Sequence, residues 1–131
     1  IVVENLHMVH SIYMNSEYAE CGETANVIQI ENSNFITVRK CELNGCGYIG
    51  INSNDCPSIT VKDNYIHSNT STGIIIAMSV GHPVSVEISG NRIINNRTPI
   101  EFMGHYVYED SNTKQLKMSG NIIYPKPALE W

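Results

Sequence analysis

ITVKDNYIHSN (Ile59–Asn69) and VEISGNRIINN (Val86–Asn96) decide how this chain is read. Both carry apolar residues at their first, third and eighth positions, and Asn64 and Asn91 stand at the sixth. Three more stretches fit the same frame: IVVENLHM (Ile1–Met8), ITVRKCEL (Ile36–Leu43) and LKMSGNII (Leu116–Ile123). Their sixth positions are Leu6, Cys41 and Asn121. Positions one and three alternate with period two, as in a strand with one buried face; a helix would space them by three and four. The step between sixth positions is 35 residues from Leu6 to Cys41, then 23, 27 and 30. Self-similarity at such steps marks stacked repeats. A fixed core pattern with a drifting step describes a coil whose strands are locked and whose turns vary in length.

A second apolar triplet follows each unit: Ile28-Gln29-Ile30, Ile49-Gly50-Ile51, Ile74-Ile75-Ile76 and Ile100-Glu101-Phe102. The flanking residues are read as inward and the middle residue as outward. Each coil then holds three short strands: the triplet, the pair at positions one and three, and a brief strand around position eight. Stacking these gives three parallel sheets around an apolar core, in an all-β solenoid of about four to five coils. The bend before position eight is tight, and Asn tolerates positive φ, so the sixth position is expected to adopt it. Stacked Asn side chains can also donate and accept along a ladder. Cys41 and Leu6 are expected to end that ladder.

The runs 59–69, 86–96 and ITVRKCELNG (36–45), each followed by a triplet such as TGIII (72–76), resemble the right-handed parallel β-helix of the pectate-lyase-like superfamily. The resemblance covers nearly the whole chain and implies the hand of the coil. It also implies an extracellular or cell-surface setting and work on polysaccharides, with calcium as the cofactor to consider. It does not fix one chemistry, since fold does not imply function.

Composition is compatible with this reading. The 131 residues suit one domain, with 42% hydrophobic and 16% charged residues. The net charge is −5 and no Lys/Arg cluster stands ready to neutralise phosphates, which argues against nucleic acid as a partner. No apolar run approaches the ~20 residues of a membrane helix. Residue 1 already stands at position one of a unit, so the chain reads as one β-helix segment of a longer solenoid. The remainder of that chain, or a second copy, is expected to cover the coil ends. Pro125 and Pro127 stop the pattern, and residues 125–131 form a tail or partial cap.

Loops determine what such a rod does. Three of them, Val9–Asn26, Ser79–Pro83 and Met103–Gln115, can rim the triplet face. In enzymes similar to this fold, the saccharide groove runs along that sheet. Gln29, Tyr13, Tyr106, Tyr108 and Arg97 are therefore the candidate sugar contacts, the tyrosines offering rings for stacking. A glycoside hydrolase needs two facing carboxyl groups. Glu101 is the outward carboxylate of the triplets, Asp110 can reach it from the following loop, and His105 lies in the same loop; these three are the candidate catalytic residues. No Asp cluster on consecutive triplets offers a calcium site. The five histidines show no metal-motif spacing, and no metal ligand is assigned.

Of the four cysteines, Cys21 and Cys46 would occupy neighbouring versions of one turn and are the best candidates if a disulfide forms, reduced thiols being the default, whereas Cys41 reads as a small buried residue. Two glycosylation sequons, Asn69-Thr70-Ser71 and Asn96-Arg97-Thr98, precede triplets. Two functions remain open. One is a segment of a polysaccharide lyase or glycoside hydrolase. The other is a non-catalytic binding or spacer module of an adhesin, tailspike or surface protein.

Overall fold

A computed structural model describes residues 1–9, 26–44, 48–81, 83–104 and 116–124. Every regular element among them is a strand. The first partial coil holds β1 (Val2–Glu4) and β2 (His7–Val9). The next holds β3 (Ile28–Glu31), β4 (Ile36–Arg39) and β5 (Glu42–Asn44), followed by β6 (Ile49–Asn54), β7 (Ser58–Lys62) and β8 (Tyr65–His67). A further coil has β9 (Thr72–Met78), β10 (Ser85–Ser89) and β11 (Arg92–Ile94). The last has β12 (Thr98–Gly104), β13 (Leu116–Ser119) and β14 (Ile122–Tyr124).

Equivalent strands stack in parallel. The first sheet runs β1-β4-β7-β10-β13, the second β14-β11-β8-β5-β2 and the third β12-β9-β6-β3. Four strand steps of ~4.8 Å give a rod of roughly 19 Å. Register follows the repeat: Ile36 aligns with Ile59, Ile59 with Val86, and Val86 with Leu116. Position eight lies mid-strand in the second sheet, where Met8, Leu43, Ile66, Ile93 and Ile123 align.

The core is the inward half of that pattern. Val38, Val61, Val86 and Ile88 from the first sheet, Leu43, Ile66 and Ile93 from the second, and Ile51, Ile74 and Ile76 from the third are fully buried. Fully burying such a side chain contributes about 1.5–3 kcal/mol each. β-Branched residues dominate because they pack well on a pleated surface.

Two expectations are corrected here. The positive-φ residue at the tight corner is position five, not six: Asn5, Lys40, Asp63, Gly90 and Gly120 have φ of 53–66°. That residue turns the chain, and the sixth side chain then lies inside. Asn64 and Asn91 are buried, and the ladder forms as expected. Asn64 Nδ2 donates to Asn91 Oδ1 at 3.0 Å, and Asn91 Nδ2 to Asn121 Oδ1 at 3.0 Å. Each amide also donates to a carbonyl of its neighbouring coil, from Asn64 to Val38 and from Asn91 to Val61. The ladder ends at Cys41, whose backbone N–H donates to Asn64 Oδ1 and whose buried, unpaired thiol lies 3.3 Å from the Arg39 carbonyl.

The second correction concerns the third sheet. Gln29 aligns with Asn52, not Gly50, and Asn52 with Ile75. Gly50 and Gly73 instead sit one above the other at an inner corner. A Cβ on Gly50 would come 2.6 Å from the Gly73 carbonyl oxygen. Only glycine permits that approach.

Both sequon asparagines build a second ladder. Asn69 Nδ2 donates to Asn96 Oδ1 at 2.9 Å, and Asn96 Nδ2 to the Ile66 carbonyl at 3.1 Å. The residues before them, Ser68 and Asn95, have φ of 60° and 59°. Corner five–six and corner ten–eleven therefore use one device twice.

Candidate functional site

The outward row of the third sheet reads Gln29, Asn52, Ile75, Glu101. Its polar members are held in place. Gln29 Oε1 accepts from Asn26 Nδ2 at 2.6 Å and from Asn52 Nδ2 at 3.1 Å, while Gln29 Nε2 donates to Glu31 Oε1 at 3.2 Å. Three amides and a carboxylate thus form one network across two coils. Beyond that network, Thr72 Oγ1 of β9 donates to Glu101 Oε1 of β12 at 2.5 Å. The hydroxyl fixes the carboxylate. Ile75 gives the row an apolar centre.

Of the expected site residues, Gln29 and Glu101 lie on this face. Arg97 is exposed in the turn just before β12. Tyr13, Tyr106, Tyr108, His105 and Asp110 lie outside the described residues, as do Cys21, Cys46, most of the two long loops and the tail from Pro125. The short loop after β9 is anchored by Asp55, whose carboxylate accepts from Ser79 N (2.7 Å), Ser79 Oγ (2.6 Å) and Val80 N (3.0 Å).

Glu31 is the other described carboxylate on this face, three strand steps from Glu101. At ~4.8 Å per step their strands stand roughly 14 Å apart, and the register sets Glu31 opposite Met103, two positions along the strand from Glu101. Paired glycosidase carboxyl groups stand about 5–9.5 Å apart. Glu31 and Glu101 therefore do not form such a pair. Among the described residues, no group of three His, Cys, Asp or Glu side chains is arranged to hold a metal ion.

A second polar cluster, which the sequence reading missed, lies on the outer face of the second sheet. Glu42 bridges three coils: its Oε1 is 3.2 Å from His7 Nδ1, and its Oε2 is 2.8 Å from His67 Nε2. The His67 hydrogen bond, aided by the nearby His7, holds the Glu42 carboxyl below the usual glutamate range. The other ring nitrogen, His67 Nδ1, lies 3.2 Å from Ser68 Oγ. His67 stacks on Tyr65 with centroids 3.9 Å apart, and the Arg92 guanidinium sits 4.3 Å from the Tyr65 centroid. The signal was present: His7, Glu42 and Tyr65 all hold position seven, and His67 position nine, the outward positions of the brief strand. Among the described residues Cys56 is the other unpaired thiol; burial pushes it up and keeps it protonated.

Three parallel sheets, two asparagine ladders and a polar outer row define a parallel β-solenoid. The chain belongs to the right-handed β-helix family, whose model, described as a right handed beta helix region, matches residues 9–125. No curated protein and no solved structure shows significant similarity to it.

Proposed function

We propose that this chain is a saccharide-contacting segment of a polysaccharide-acting protein, with the sugar lying along the outer face of the third sheet. The observation that carries the reading is the outward row of amide and carboxylate groups, Gln29, Asn52 and Glu101, with Gln29 bonded to Asn52 and Glu101 held by the buried Thr72 hydroxyl. Amides both donate and accept, which suits sugar hydroxyls that do the same. Ile75 at the centre of the row suits the apolar face of a sugar ring. An extracellular or cell-surface setting accompanies this reading.

Whether the segment cleaves or only binds turns on the partner of Glu101. Asp110 or His105 would complete an acid pair or an acid–base set from the following loop. The separation of Glu31 and Glu101, more than ~14 Å, favours the second reading, a binding or spacer module, for the described residues alone.

The test is affinity electrophoresis of the protein through gels containing single polysaccharides, neutral and uronate-rich. The Gln29→Ala/Asn52→Ala variant is expected to lose the retardation that the parent protein shows. Parent mobility unaffected by every polysaccharide would overturn the reading. Release of reducing ends or unsaturated uronate, abolished in Glu101→Gln, would establish cleavage; turnover unchanged in Glu101→Gln would remove Glu101 from the chemistry.

A further inference from the structure

The first sheet has a groove of its own, a cavity of about 310 Å³ that shares no lining residue with the Gln29–Glu101 row. Phe35 and Val84 line it, and both are largely exposed, at 74% and 58%. Between them lie four hydroxyls in two aligned pairs: Thr37 beside Thr60, and Ser58 beside Ser85. Members of each pair are one strand step apart, ~4.8 Å. No charged side chain is among the described residues that line it.

Phe35 is held in an unfavourable conformation. Its φ is 56°, in the left-handed region, where a bulky residue is a genuine outlier. Asn34 holds it there: the Asn34 Oδ1 accepts both the Phe35 N–H and the Ser58 N–H of the next coil, each at 2.9 Å. The fold thus bears backbone strain and the exposure of a large apolar ring at the same residue. Neither contributes to the core. Strain of this kind is characteristic of ligand-contacting positions.

From this combination we infer that the groove is a second saccharide site, selective for a neutral sugar ring stacked on Phe35. The ring's apolar face meets the aromatic, and its hydroxyls meet Thr37, Thr60, Ser58 and Ser85. The uncharged lining provides no partner for a uronate carboxylate or a sulfate. The ligand class rests on the proposed saccharide reading; the site itself is separate from the third-sheet row.

The test uses a panel of neutral hexasaccharides (cello-, xylo-, manno- and laminarihexaose) and oligogalacturonate, titrated by calorimetry and by methyl NMR. At least one neutral member is expected to bind and shift the Thr37 and Thr60 methyl signals. Phe35→Ala should weaken it by about five- to tenfold, and Phe35→Trp should retain it. Phe35→Gly, which removes both ring and strain, should weaken binding equally while raising Tm by about 2–4 °C. That opposed response separates a ligand contact from a structural role. Binding within twofold of the parent in Phe35→Ala, no neutral ligand at all, or a preference for oligogalacturonate at these methyls would each overturn the inference. Loss of binding in Phe35→Ala but not in Gln29→Ala/Asn52→Ala would support this site and count against the third-sheet row; the reverse pattern would do the opposite.

Discussion

Asn91 makes four side-chain hydrogen bonds while wholly out of solvent. It donates to Val61 O and Asn121 Oδ1, and accepts from Asn64 N and Asn64 Nδ2. Removing the amide leaves buried groups on two neighbouring coils without partners, which costs more than one hydrogen bond gains. Asn91→Ala is expected to lose about 3 kcal/mol of stability in urea unfolding. A loss under about 1 kcal/mol would show that the ladder is not a main support. The sequence shows this ladder plainly, because three successive units carry Asn at one position. Which residue bears the positive φ was harder to see. Position five holds Asn, Lys, Asp, Gly and Gly, a mixed set in which Lys40 hides the conformation. The backbone N–H groups of Lys40 and Asp63 donate to the Lys62 and Ser89 carbonyls of the next coil.

At the scale of the strand row, Glu42 links β2, β5 and β8 from outside the core. The hydrogen bond from His67 lowers its carboxyl, so the folded state binds that proton less readily than the unfolded chain. The resulting stability is present above the ordinary glutamate range and is lost as pH falls through the carboxyl's folded value. Glu42→Gln should therefore flatten the acid side of the stability profile below about pH 5 and be least stable relative to the parent at neutral pH. Urea midpoints measured across pH check this; parallel profiles for the two proteins would refute it. Strand positions were legible from period-two alternation, but the register of the third sheet was not. Apolar triplets alone align Ile49-Gly50-Ile51 with Ile28-Gln29-Ile30. Matching Gly50 to Gly73 gives the observed pairing, because the inner corner excludes a Cβ. The His7–Glu42–His67 cluster falls on outward positions seven and nine of three successive units, whose strands stack directly.

For the whole molecule, each coil contacts only its neighbours, so stability accumulates along the stack. β7 and β10 each have a strand on both sides, whereas β1 and β14 have one. Amides of β7 and β10 should exchange with solvent slower than those of β1 and β14 by roughly tenfold or more. Uniform exchange would indicate a single cooperative unit instead. The architecture was readable because a solenoid repeats its core; the chemistry was not, because function lies where the repeat is interrupted. Glu101 and Gln29 could be placed since they belong to strands. Tyr13, Tyr106, Tyr108 and Asp110 belong to stretches of unrepeated sequence, which periodicity cannot position. The second ladder has one further consequence. Asn69 and Asn96 are sequon residues, yet they are 3% and 1% exposed and the Asn69 Nδ2 is already bonded to Asn96. An oligosaccharide could be attached there only during synthesis, before the neighbouring coils close, and once attached it would prevent them from closing. In a eukaryotic secretory host, enzyme and coil would compete for the same amide, and sugar found on Asn69 or Asn96 would identify the molecules that lost the race to fold.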